Sequence, residues 1–156
     1  MPGSRRKFLV VVDETQESRV ALRFAARRAE HTDGVVTALH IIEPPDVQQW
    51  RGVEDAMREE AHAKAEEVLA QAARVVHDLN GLTAELVVRE GKKRDALFSL
   101  LAEDRNISIL VLASGIGSEG VGPLVSMVTG QGQNLYPIPV TIVPGNLTDA
   151  QIDAIA

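Results

Sequence analysis

Five short runs of aliphatic and β-branched residues alternate along the chain with stretches of helical period. The runs are FLVVV (8–12), VVTALHII (35–42), AELVV (84–88), ISILVLA (107–113) and IPVTIV (138–143). Most are apolar at consecutive rather than alternate positions, so they read as strands covered on both faces. Strand and helix in strict alternation imply an α/β domain with a mainly parallel sheet and right-handed crossovers.

The intervening stretches support this. SRVALRFAARRAEH (18–31) sets Val20, Leu22, Phe24, Ala25 and Ala29 against a run of arginines, with Ser18 as the expected N-cap. A longer pattern runs from about Val53 to Leu79 and stops at Asn80-Gly81. DALFSLLAED (95–104) is a third helix, and PLVSMVTG (123–130) begins a fourth at Pro123. LTDAQIDAIA (147–156) carries a capping-box pair, Thr148 with Gln151, ahead of Ile152 and Ile155. We expect residues 1–6 to be flexible, 7–146 to form one domain and 147–156 a C-terminal amphipathic helix. A chain of 156 residues that is 45% hydrophobic can bury roughly two thirds of its unfolded surface in one core.

Charge and composition exclude several function classes. The 16 Lys+Arg stand against 22 Asp+Glu, and no Lys or Arg follows Arg105. With 3% aromatic residues there are few platforms for stacked bases, so no nucleic-acid partner is expected. The absence of cysteine removes disulfides, thiolate catalysis and Cys-based zinc sites. RRKFLVVV is too short for a secretory core, which needs about seven to fifteen apolar residues, and no segment reaches the length of a membrane span. The expectation is a soluble cytoplasmic protein without a membrane partner.

The densest punctuation is ASGIGSEGVGPLVS (113–126), with Gly115, Gly117, Gly120 and Gly122 directly after the fourth apolar run. Gly115 to Gly120 reads GxGxxG, but it follows the fourth strand, and about twenty residues on, where a ribose-binding acid belongs, stands PIPVTIV. A Walker loop fails because no glycine here precedes Lys and then Ser or Thr. Geometry offers another reading. In a doubly wound, Rossmann-like sheet of five parallel strands in the order 3-2-1-4-5, helices on both faces, strands one and four are neighbours where the winding reverses. Ligands bind beyond their carboxyl ends. Asp13 and the glycine loop should then face one crevice. Asp13 also suits a turn or helix cap, and the loop also suits chain packing.

The residues FLVVVDETQESRVALRFA, HIIEP (40–44), REGKKRDALFSLLAEDRNISILVLASG (89–115) and PVTIV (139–143) together resemble universal stress protein (UspA-like) domains, nearly without a break from 7 to 144. ATP-binding members of that family carry G-x2-G-x9-G-(S/T). Gly117, Gly120 and Gly130 fall at that spacing, with Gln131 where the family has a hydroxyl. The resemblance implies Asp13 at the ribose or adenine, the backbone of Ile41 at adenine, and Ser114, Gly115, Gly117, Ser118, Gly120, Gly130 and Gln131 around the phosphates. It implies weak binding of ATP, ADP or AMP, with Mg2+ offsetting triphosphate charge, since Glu119 lies in the loop and no cation follows it. Lys92, Lys93 or Arg94 could reach over from the end of the third strand. The resemblance also implies a homodimer paired through the last strand, Ile138 to Val143, and the C-terminal tail. The alternative is a homodimeric stress-response interaction module of the same fold that binds no nucleotide.

No catalytic residue is assigned, and any ATP hydrolysis is expected to be slow. His31, His40, His62 and His77 share no ligand spacing, so no metal site is expected. Glu59, Glu60, Glu66 and Glu67 read as a solvated helix face. Trp50 could cover the crevice or a chain contact, or simply pack.

Overall fold

A computed structural model of the chain describes residues 5–44, 54–115, 124–126 and 136–156. In chain order the elements are β1 (Lys7–Val11), α1 (Gln16–Thr32), β2 (Val35–Ile42), α2 (Glu54–Asn80), β3 (Glu85–Glu90), α3 (Lys93–Glu103), β4 (Ile107–Ser114), β5 (Val140–Pro144) and α4 (Asp149–Ile155). The expectations for Gly117, Ser118, Gly120, Gly130, Gln131 and Trp50 lie outside the described residues. So does the helix expected over 123–130, apart from residues 124–126, which are helical.

The five strands form one sheet in the order β3-β2-β1-β4-β5, every pair parallel. Alternation along each strand divides the core into two layers. Phe8, Val10, Val36, Ala38 and Val111 pack with α1, α2 and Ile152 of α4. Leu9, Leu39, Leu110 and Leu112 pack with Leu97, Leu100 and Leu101 of α3. Helices therefore cover both faces, as the continuous apolar runs require. Full burial of a leucine such as Leu9 or Leu110 contributes about 1.5–3 kcal/mol. On the opposite layer, the small side chains of Ala21, Ala25, Ala26 and Ala29, all buried, let α1 lie close against the sheet.

The local boundaries follow from hydrogen-bonding chemistry, with two corrections to expectation. The cap of α1 is Thr15, not Ser18: Thr15 Oγ1 accepts from Ser18 N at 3.2 Å and the helix begins at Gln16. Ser18 has the spacing to receive that bond rather than to make it, and its own hydroxyl accepts from Asp13 N at 3.0 Å. The last strand starts at Val140, not Ile138. Pro137 and Pro139 have no N–H for a ladder, while the Pro139 carbonyl still accepts from Leu110 N at 3.0 Å.

Other signals are realised as read. Gly81 closes α2 with φ 76° and its N–H on the His77 carbonyl. In α4 the capping box is complete, with Thr148 N to Gln151 Oε1 at 2.9 Å and Gln151 N to Thr148 Oγ1 at 3.2 Å. That helix buries Ile152 against α1, and its Asp153 is gripped by Arg23 at 2.7 Å and Arg27 at 3.0 Å. Hydrogen bonds from the two guanidinium groups hold the Asp153 carboxyl well below the usual carboxylate range.

The amino edge of the sheet is fastened by a charged clamp. Lys7 Nζ on β1 reaches Asp104 Oδ2 at 2.6 Å and Glu85 Oε2 at 2.9 Å, joining the approaches to β4 and β3. Burial alone would lower the Lys7 pKa, but the hydrogen bonds to Asp104 and Glu85 outweigh it and raise the value. For Asp104, burial pulls upward, and the bonds from Lys7 and the Asn106 N–H outweigh it and lower the carboxyl. Among the described residues no helix is long and apolar enough to cross a membrane.

Candidate functional site

The carboxyl edge is where the winding reverses, since β1 continues through α1 on one face and β4 is reached through α3 on the other. In the β1–β4 pairing, Val10 stands beside Val111. Three further residues along each chain, that register brings Asp13 level with Ser114. The residues facing α3 are Leu9 and Val11 in β1, Leu39 and Ile41 in β2, and Leu110 and Leu112 in β4. The same alternation puts Ser114 on that side; Asp13, past the end of β1, stands at the edge itself, its carboxylate turned to the start of α1. Four sequence-selected residues, Asp13, Ile41, Ser114 and Gly115, thus come to one edge of three adjacent strands.

Each is held differently. Asp13 is exposed, and its Oδ1 accepts from Thr15 N at 2.8 Å and from the Thr15 hydroxyl, a turn that steadies the start of α1. The second carboxylate oxygen has no hydrogen bond within the described residues. Ile41 is 7% exposed, with its side chain in the α3 layer. Ser114 Oγ accepts from Gly145 N at 3.4 Å, tying β4 to the chain leaving β5. On the opposite face His40 Nδ1 donates to the Val12 carbonyl at 2.8 Å, which braces the last residue before Asp13.

The cations of this edge stand at the start of α3. Gly91, at φ 135° and with its N–H on the Ile42 carbonyl, turns β3 into Lys92, Lys93 and Arg94. Lys92 occupies the N-cap but offers no side-chain bond to the helix. Positive side chains there oppose the helix dipole, so this arrangement gains nothing for the helix itself. The Arg94 guanidinium lies 5.7 Å from the Phe98 ring centre, and Phe98 stacks against Tyr136 at 5.0 Å and 48°. Burial pushes the Tyr136 hydroxyl up, partly offset by Arg94, and that oxygen finds no hydrogen-bond partner among the described residues. The i,i+4 spacing of Arg94 and Phe98 was legible in the sequence; their convergence with Tyr136 was not.

The model of the universal stress protein family matches residues 4–144. The chain belongs to that family. A universal stress protein of Mycolicibacterium smegmatis is 31% identical over 123 residues, and the match covers 78% of this chain but 41% of that relative's length. Among solved structures, the universal stress protein UspA of Lactobacillus plantarum superposes with a TM-score of 0.74 at 17% identity, covering 89% of this chain and 97% of the other. A universal stress protein family member from Arabidopsis thaliana, solved with AMP bound, has a TM-score of 0.63 at 18% identity, covering 89% and 91%. Two further universal stress protein structures of this fold hold cAMP and dAMP. The family resemblance read from the sequence and the Rossmann-like parallel sheet are therefore established for this chain.

Proposed function

We propose that this universal stress protein binds an adenine nucleotide weakly in the crevice beyond β1, β2 and β4. The observation that carries the reading is the meeting of Asp13, Ile41 and Ser114-Gly115 at the reversal point of the sheet, the position at which doubly wound folds take their ligands. The nucleotides held by three structures of the same fold, AMP, cAMP and dAMP, favour a monophosphate. In this reading the Asp13 carboxylate oxygen that Thr15 does not engage accepts from the ribose and the backbone of Ile41 meets adenine; the glycines that the resemblance assigns to the phosphate lie outside the described residues. Lys92, Lys93 and Arg94 supply positive charge that the chain lacks beyond Arg105. Isothermal titration with AMP, ADP and ATP tests the reading. Saturable heat with AMP that falls at least about tenfold in affinity in Asp13→Ala is the expected result; silence with all three nucleotides up to millimolar concentration overturns it.

A second reading, an interaction module that pairs with a copy of itself, is favoured by β5. This strand ends the sheet, and Ile142 on it is 37% exposed while Ile155 of α4 is 62% exposed. Light scattering should give the mass of a dimer in micromolar solution; a monomer at that concentration removes the pairing.

A further inference from the structure

A hollow of about 240 Å3 opens between α1 and α2, on the side of the sheet away from the adenine crevice. Its floor is Val12, Leu22, Val68 and Ala72, all at most 8% exposed. An engineered apolar cavity of about 150 Å3 takes benzene. By that scale this hollow has room for roughly ten non-hydrogen atoms.

The rim carries charge of both signs from the two helices. Arg19 projects from α1 and Glu67 from α2, and neither makes a hydrogen bond or ion pair with any described residue. Asp13 closes the upper end with one carboxylate oxygen engaged by Thr15 and the other open. Glu14 is drawn aside by Lys64 at 3.5 Å. An apolar floor beneath an open guanidinium and two open carboxylates suits a ligand that brings both charges and a short hydrocarbon chain. A purely cationic ligand leaves Arg19 opposed, and a purely anionic one meets Glu67 and Asp13.

We propose that this hollow binds a free aliphatic α-amino acid of the leucine class, its carboxylate on Arg19, its ammonium on Glu67 and Asp13, and its side chain on Val12, Leu22, Val68 and Ala72. L-leucine, with about nine non-hydrogen atoms, matches the space. The hollow lies across the sheet from α3 and shares only Asp13 with the proposed nucleotide crevice; Arg19 and Glu67 belong to the hollow alone.

Calorimetric titration of the full chain with L-leucine tests the site, with 3-methylbutylamine and 4-methylpentanoate as probes that each lack one charge. Saturable binding of leucine is expected, with either probe at least about tenfold weaker, because each loses a charge-assisted contact. Arg19→Met and Glu67→Gln replace exposed side chains and leave the core intact; each should weaken leucine by a similar factor. Amide chemical shifts should move at Ser18, Arg19, Val68 and Ala72 and stay still at Ser114 and Gly115. No leucine binding up to about 10 mM, far above any useful affinity, overturns the proposal. So do equal affinities for the single-charge probes, or shifts confined to Ser114 and Gly115.

Discussion

The two edges of the sheet treat charge in opposite ways. At the amino edge, Lys7 is 18% exposed and lies between Asp104 and Glu85, so one ammonium links the starts of three strands that are far apart in sequence. Gly34 adds to this edge: a Cβ there would meet the Arg6 carbonyl at 2.8 Å and the Phe8 ring at 3.0 Å. At the carboxyl edge, Lys92 and Lys93 have no ion pair among the described residues, the α3 cap makes no side-chain bond, and Asp13 keeps an open oxygen. The first edge uses polar groups to close the structure. The second holds polar groups that the fold leaves available, which is where a ligand can use them.

Breaking the amino clamp should have the largest effect. Removing one member of a buried ion pair costs about 3–5 kcal/mol, and the partial exposure of this cluster brings Lys7→Ala to about 2 kcal/mol of lost stability in urea unfolding. AMP binding should be unchanged, because the clamp is at the far edge. A variant that folds as stably as the parent would show that the triad is only a surface contact.

Next in size is Gly34→Ala. The added methyl meets backbone that cannot swing away, and a single methyl sits at the low end of overpacking costs, about 1 kcal/mol. Thermal unfolding checks it, with a lowered midpoint expected.

At the carboxyl edge the sign should reverse. Lys92→Asp places a capping side chain at the positive end of α3 and should stabilise the protein by about 0.5–1 kcal/mol. In the proposed nucleotide reading it should also weaken AMP. Loss of stability together with unchanged AMP binding would erase the contrast between the edges.

The smallest effect expected at neutral pH, and the sharpest test of the clamp's charge, is its pH dependence. Asp104 has a folded pKa below that of an ordinary aspartate, so its contribution is present above the ordinary carboxylate range and is lost as pH falls through the folded value. Lys7 has a folded pKa above 10.5, so its contribution is present through neutral pH and is lost only as pH rises through the folded value. The stability gap between the parent and Lys7→Met should therefore narrow below about pH 4 and hold from there to neutral pH. A gap independent of pH in acid would assign it to packing of the lysine stem.

Much of this protein was legible before any coordinates. Continuous apolar runs such as ISILVL require cover on both faces, and alternation with helical periods then leaves a parallel, doubly wound sheet. Thr148 with Gln151, and Asn80-Gly81, gave correct helix boundaries because caps are local chemistry. The α1 cap was misplaced by three residues because Ser18 and Thr15 are both suitable cap types, and only the geometry of the Asp13 turn selects between them. That β1 and β4 would be neighbours was legible too, since strand order follows from the doubly wound topology.

Sequence alone determined what propagates along the chain: the period of each element, the sign of its charges, and the family those residues spell. Tertiary structure decided what depends on closure between distant segments. Lys7 meets Asp104 across 97 positions, Arg23 meets Asp153 across 130, and the hollow between α1 and α2 exists only once both helices lie on the same face of the sheet. A one-dimensional pattern records which face a side chain takes; it holds no measure of the distance between two faces until the sheet has brought them together.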